Sequence, residues 1–169
     1  MKIKYFILLL IISLSCKSKK ENYTELKKEL TEIYLIDQID RNDKNWILQI
    51  RRDEQNLIAV TKIIDSLGWL SKEEIGDTAN AALFLVIQHS NKATMEKYFP
   101  ILKKAVENKK ANKQDLALLT DRIEMLNGRP QIYGSQFQTI NNELVLYPIL
   151  DSMNVHKRRK EIGMKSLEE

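Results

Sequence analysis

The 169-residue sequence has one cysteine, two histidines, three prolines and five glycines, and each scarcity excludes something. A lone cysteine, Cys16, has no partner for an internal disulfide. So few glycines and prolines cannot supply the turns of a many-stranded sandwich or barrel, which points to long helices with short connections. The histidines, His89 and His156, form no His-x-x-x-His or glutamate-flanked pair, so no zinc motif is present. No glycine-rich loop exists to cradle a phosphate either, and neither a metal nor a cofactor is expected. The apolar run Tyr5 to Leu14 is too short to span a bilayer.

That short run has its own meaning. Lys2 and Lys4 precede it and Leu14-Ser15-Cys16 closes it, which is the layout of a bacterial lipoprotein signal. The expectation is cleavage between Ser15 and Cys16 and lipidation of Cys16, each buried methylene of the acyl chains holding the membrane by roughly 0.8 kcal/mol. Residues 1–15 are then the signal peptide, 16–22 a lipidated polar tether, and 23–169 a single domain. Lys17 stands where an aspartate retains lipoproteins in an inner membrane, so the expected place is the cell envelope, on the periplasmic face of the outer membrane. Without Lys2 and Lys4 the chain keeps 25 basic residues against 23 acidic ones. A nearly neutral body lacks the concentrated basic surface that nucleic acid requires. The expected partners are therefore the membrane, through lipid on Cys16, and a small ligand or envelope protein.

Helical periodicity dominates the body. Tyr23, Leu26, Leu30, Ile33, Tyr34 and Ile36 predict a helix from Asn22 to about Asp43, with a second from about Asp53 to Ser66 stopped by Gly68. Ser71-Lys72-Glu73-Glu74 has capping-box spacing, while Gly76 makes a fresh start at Asp77 equally plausible. Thr78 to His89 is apolar almost all round, the mark of a central buried helix. A further helix starts at Asn91 and is expected to break near Pro100; another runs from Asn112 or Lys113 to the Asn127-Gly128 stop, and a last one from Asp151 to Glu161. Between them, Gln131 to Gln138 and Glu143 to Tyr147 alternate polar and apolar about Asn141-Asn142, a hairpin pattern over about 131–147. Two isolated strands are marginal in water, so this hairpin is expected to pack on the helices. The fold class is mainly α: a multi-helix, bundle-like domain with one small β-hairpin near the C-terminal third.

Asp37-Gln38 with Arg41, Gly68-Trp69, Gln88-His89, Asp121-Arg122, Gly128 with Gln131, Tyr133-Gly134-Ser135-Gln136, and Arg158 or Arg159 with Gly163 recur in a familiar order. Over roughly Glu32 to Leu167 the chain resembles a bacterial family filed as domain of unknown function 6624. That family's pattern has proline where this chain has Leu70, and threonine where it has Ser135. Serine keeps the hydroxyl. The resemblance implies a shared fold and a shared polar pocket, but carries no established activity.

A contact from His89 to Asp121 would orient an imidazole as a general base, and Tyr133 would donate to a substrate oxygen, which makes these three the catalytic candidates. Arg41 or Arg122 would hold a carboxylate or phosphate by a two-pronged hydrogen bond. With them, Asp37, Gln38, Gln131, Ser135 and Gln136 complete the ligand-binding candidates. No Gly-x-Ser-x-Gly elbow surrounds Ser135, and the basic run His156 to Lys160 reads as a solvated helix face. Two readings follow: an envelope module that binds a ligand or partner through a hairpin pocket, or a hydrolase or transferase using His89, Asp121 and Tyr133. Their geometry separates them, because an enzyme needs all three facing one open concave space.

Overall fold

The computed structural model describes residues 23–39 and 46–168, so Cys16, expected to carry the lipid, and the candidate Arg41 lie outside the described residues. The described chain is mainly helical, with seven helices and one two-stranded antiparallel hairpin. Helix α1 covers residues 23–39 and α2 runs Trp46–Leu67. The α2 helix starts ahead of the expected Asp53 because its first turns expose Ile47 and Ile50 rather than burying them, so no core-facing period marks its beginning.

After α2, Gly68 takes φ +73 and turns the chain into the buried Trp69 and Leu70. Both expectations for the next segment hold. Ser71 forms a capping box with Glu74 at the head of the single-turn α3 (Lys72–Ile75), and Gly76 at φ +84 then restarts the chain as α4 (Asp77–Gln88). The apolar α4 is the central element. It packs on α2, α3, on α5 (Lys92–Glu107) and on α6 (Lys113–Leu126), and buries Ala79, Ala82, Leu83, Phe84, Val86 and Ile87. Leu30 and Ile33 from α1 and Val60, Ile63 and Ile64 from α2 complete that core from one side. Tyr98 and Leu102 from α5, with Leu119 and Ile123 from α6, close it from the other.

The expected break at Pro100 is absent, and α5 passes through it unbroken. Buried Met95 and Tyr98 before the proline and Leu102 and Ala105 after it lie on one seam, and their packing outweighs the lost hydrogen bond and ring clash of about 3 kcal/mol.

The C-terminal part departs most from expectation. Strands β1 (Phe137–Ile140) and β2 (Glu143–Leu146) pair antiparallel in the register Phe137↔Leu146 to Ile140↔Glu143. Asn141 and Asn142 both have positive φ, as a type I′ turn requires. The hairpin is thus shorter than 131–147: residues 131–136 form a loop, joined by a single bridge from Gln131 to Ile149. Nor does the hairpin pack on the helices. Neither strand contacts any of the helices α2 to α6 or the short helix that follows the hairpin, and each meets the other. A 3₁₀ turn (Ser152–Asn154) leads into α7 (Val155–Glu161), which likewise touches the helical body through side chains and loops rather than along its length.

One buried polar group staples the core's connections. Asn80, 1% exposed on α4, donates from Nδ2 to the carbonyls of Leu70 (2.7 Å) and Lys110 (2.9 Å), tying the loops after α2 and α5 together. Asn80→Ala strands two carbonyls and is expected to cost about 2–4 kcal/mol, read as the loss in urea midpoint at unchanged slope.

Candidate functional site

The α6 helix turns Asp121 to its inner face, where the residue is fully buried. Gly128 ends that helix at φ +70 and Pro130 leads the chain back, so residues 131–136 wrap around the Asp121 carboxylate. Its Oδ1 accepts from the main-chain N–H of Ile132 (2.7 Å) and Tyr133 (2.9 Å). Its Oδ2 accepts from the N–H of Ser135 (3.0 Å) and from the Ser135 hydroxyl (2.8 Å). Four donors saturate one carboxylate.

The carbonyls of the same loop are held from the opposite side by α7. Arg159 donates from Nη1 to the Tyr133 carbonyl at 2.7 Å, and Arg158 donates from Nε to that of Ile132 at 3.0 Å and from Nη2 to those of Leu150 and Asp151. Gln131, fully buried, spans the loop from within: Oε1 accepts from the Gln136 N–H, and Nε2 donates to the carbonyls of Gln136 and Tyr147. Gly134 has φ +74, and a Cβ there would lie 2.9 Å from Ile149 Cδ1 and 3.1 Å from Leu167 Cδ2. Only glycine fits.

The network continues into the helical body. Gln136 donates from Nε2 to the Ser135 hydroxyl, and its Oε1 accepts from Arg122 Nε at 3.2 Å. Arg122 also donates from Nη1 to the Gln88 carbonyl, 3.2 Å away at the end of α4. One chain of hydrogen bonds therefore joins Asp121, the loop, α7 and the residue before His89.

His89 belongs to a second cluster. Its Nδ1 lies 3.4 Å from Oδ1 of Asp37, a contact outside hydrogen-bond geometry, and its side chain is 17% exposed against 2% for that of Asp37. Gln38 donates from Nε2 to the other Asp37 oxygen at 3.0 Å. His89 also lines a groove of about 230 Å³ between α2 and the end of α4. Ile50, Leu57 and Val86 form its apolar wall, and Asp53, Glu54, Asn56, Ser90 and Asn91 its polar rim.

The candidate residues thus divide. Asp121, Arg122, Gln131, Ser135 and Gln136 meet in the loop network, where their polar atoms are taken by one another and by the main chain. Asp37 and Gln38 gather behind His89, which alone of the three lines the groove. The expected pairing of His89 with Asp121 is not formed, because the loop amides occupy that carboxylate and Asp37 stands beside the imidazole instead. Tyr133 joins the network through its backbone N–H and carbonyl. Asp53, Glu54 and Asn56 were not anticipated: on α2 they look like ordinary solvated positions, and only the end of α4 beside them makes a groove. Among the described residues no group of three or more His, Cys, Asp or Glu side chains is arranged to hold a metal.

Fold and network together define a class: a helical domain whose C-terminal loop, hairpin and short helix are hung on one buried aspartate. The residues that build the hanger are those of the sequence signature. The chain belongs to the family of unknown function DUF6624, whose profile matches residues 25–169. No curated protein and no solved structure matches the chain.

Removing the hanger should unhinge one part of the molecule first. Asp121→Ala leaves buried N–H groups unpaired and is expected to cost about 3–5 kcal/mol. In amide hydrogen exchange, Ile132, Tyr133 and Ser135 should lose protection together with α7, before α4 and α5 do.

Proposed function

We propose that this chain is a lipid-anchored envelope lipoprotein whose helical domain binds a small ligand in the groove beside His89. The groove carries the reading: a half-buried histidine backed by a buried aspartate, set in a concave space with one apolar wall and a polar rim. At about 230 Å³ it is smaller than the roughly 300–1,000 Å³ of drug-sized sites, which favours a compact ligand. Ile50, Leu57 and Val86 would take an apolar part, while Asp53, Glu54 and His89 would address a hydrogen-bonding or cationic group. The binding region is thereby moved from the hairpin, whose loop residues are spent on structure, to the opposite end of Arg122's bridge.

The location rests on the lipobox, in which Cys16 is the only cysteine and follows a basic and apolar leader. Among the described residues no helix is long and apolar enough to cross a membrane; acyl chains on Cys16 are the proposed attachment. The intact mass should exceed that of residues 16–169 by the acyl groups, and Cys16→Ser should release the chain from the membrane fraction.

A hydrolase or transferase is the second reading, favoured by the Asp37 and His89 pair opening on the groove. The one hydroxyl lining that groove, Ser90, donates to the Ile87 carbonyl at 2.7 Å rather than to His89.

Thermal unfolding of the chain against envelope metabolites, glycan fragments and metals, for wild type, His89→Ala and Tyr133→Phe, tests the binding reading. A ligand at 100 times its Kd should stabilise wild type by about 2.7 kcal/mol, stabilise Tyr133→Phe equally, and leave His89→Ala unmoved. A ligand whose effect depends on Tyr133 and not on His89 would return the site to the hairpin loop and defeat this assignment.

A further inference from the structure

The hairpin carries exposed apolar residues on both faces and its charge on only one. Opposed residues in an antiparallel pair share a face, so Phe137, Thr139, Leu144 and Leu146 lie on one side and Gln138, Ile140, Glu143 and Val145 on the other. The first face has no charge and three large apolar residues, of which Phe137 is 51% and Leu144 72% exposed. The second holds the amide Gln138 and the only charge, Glu143, beside Ile140 (47% exposed) and Val145 (38% exposed). Just beyond β2, Leu150 is 54% and Met153 92% exposed, and the exposed Lys157 and Lys160 follow on α7. Phe137, Leu144, Leu150 and Met153 each keep more than half of their surface open.

We infer that the Phe137 and Leu144 face of the hairpin rests in the interfacial layer of the bilayer and is a second membrane contact that fixes the domain's orientation. The inference rests on the lipid-anchor reading. Six residues, 17 to 22, separate the lipidated cysteine from residue 23, and the seven backbone steps between them reach at most about 25 Å fully extended. The domain is therefore held within its own diameter of the lipid. Amphipathic elements at that interface bury one face about 5–10 Å deep and lie in its plane. A hairpin with one uncharged apolar face, Glu143 and Gln138 beside Ile140 and Val145 on the reverse, and a polar Asn141-Asn142 tip matches a flat placement better than a spanning one. Its free strand edges stay among headgroups, where water can satisfy them, and Lys157 and Lys160 add attraction to anionic headgroups.

Spin labels on the two faces test this with the acylated chain. Acylation blocks Cys16, the only native thiol, so a single introduced cysteine takes the label cleanly. Thr139→Cys reports the apolar face and Gln138→Cys its reverse, each in vesicles of phosphatidylethanolamine and phosphatidylglycerol. The ratio of oxygen to nickel-chelate collisions should be several-fold higher at position 139 than at 138. Equal ratios on a chain whose mass shows the acyl groups overturn the hairpin contact alone. A chain without acyl groups overturns the anchor reading, and this contact with it. Dipolar broadening at position 139 that vanishes on dilution with unlabelled chain assigns the face to a second copy and also overturns the proposal.

Discussion

The Asp121 carboxylate is the interaction on which the C-terminal third depends. A hairpin and a seven-residue helix have too little surface of their own to fold independently, and neither lies along any of the helices α2 to α6. What holds them is a buried anion-shaped acceptor on α6 that gathers three amides and one hydroxyl of a single loop. Arg158 and Arg159 grip the carbonyls of that loop, so the backbone of Ile132 and Tyr133 is fixed from both sides. Buried polar groups are costly unless fully paired, and full pairing of this kind selects one loop conformation.

Much of the helical body was legible because its cause is local. Apolar residues all round α4 mean burial on every side, Ser71 and Glu74 form the capping box that their spacing implies, and Asn127-Gly128 ends α6 where it should. The misreadings have nonlocal causes. Residues 131–136 alternate polar and apolar like a strand, but their polar side chains turn inward to bond their own backbone and Asp121. Nothing in the local pattern says that an aspartate eleven residues earlier will supply the acceptors. Pro100 reads as a break because the seam that overrides it is visible only once α5 is packed.

The candidate site was legible as a set of residues and not as an arrangement. Asp37, His89, Asp121, Arg122 and the Tyr133-Gly134-Ser135-Gln136 block were all singled out, yet they separate into a groove cluster and a structural network. Spacing along a sequence cannot choose between Asp37 and Asp121 as the neighbour of His89, since both are far from it in the chain. Burial of Asp121 by its own loop settles the choice. Arg122 is the one residue that touches both ends, bonding Gln136 on one side and the carbonyl preceding His89 on the other. The network thus reaches Gln88, the last residue of α4 and the neighbour of His89.

The central claim, that Asp121 and the α7 arginines act as one clamp on one loop, is tested most directly by a double-mutant cycle on stability between Asp121→Ala and Arg159→Ala. The two side chains hold the N–H and the carbonyl of the same residue, Tyr133. Once either is gone the loop is already released, so the account predicts a coupling of about 1 kcal/mol or more. Costs that add to within about 0.3–0.5 kcal/mol would contradict it and leave two unrelated contacts in place of a clamp.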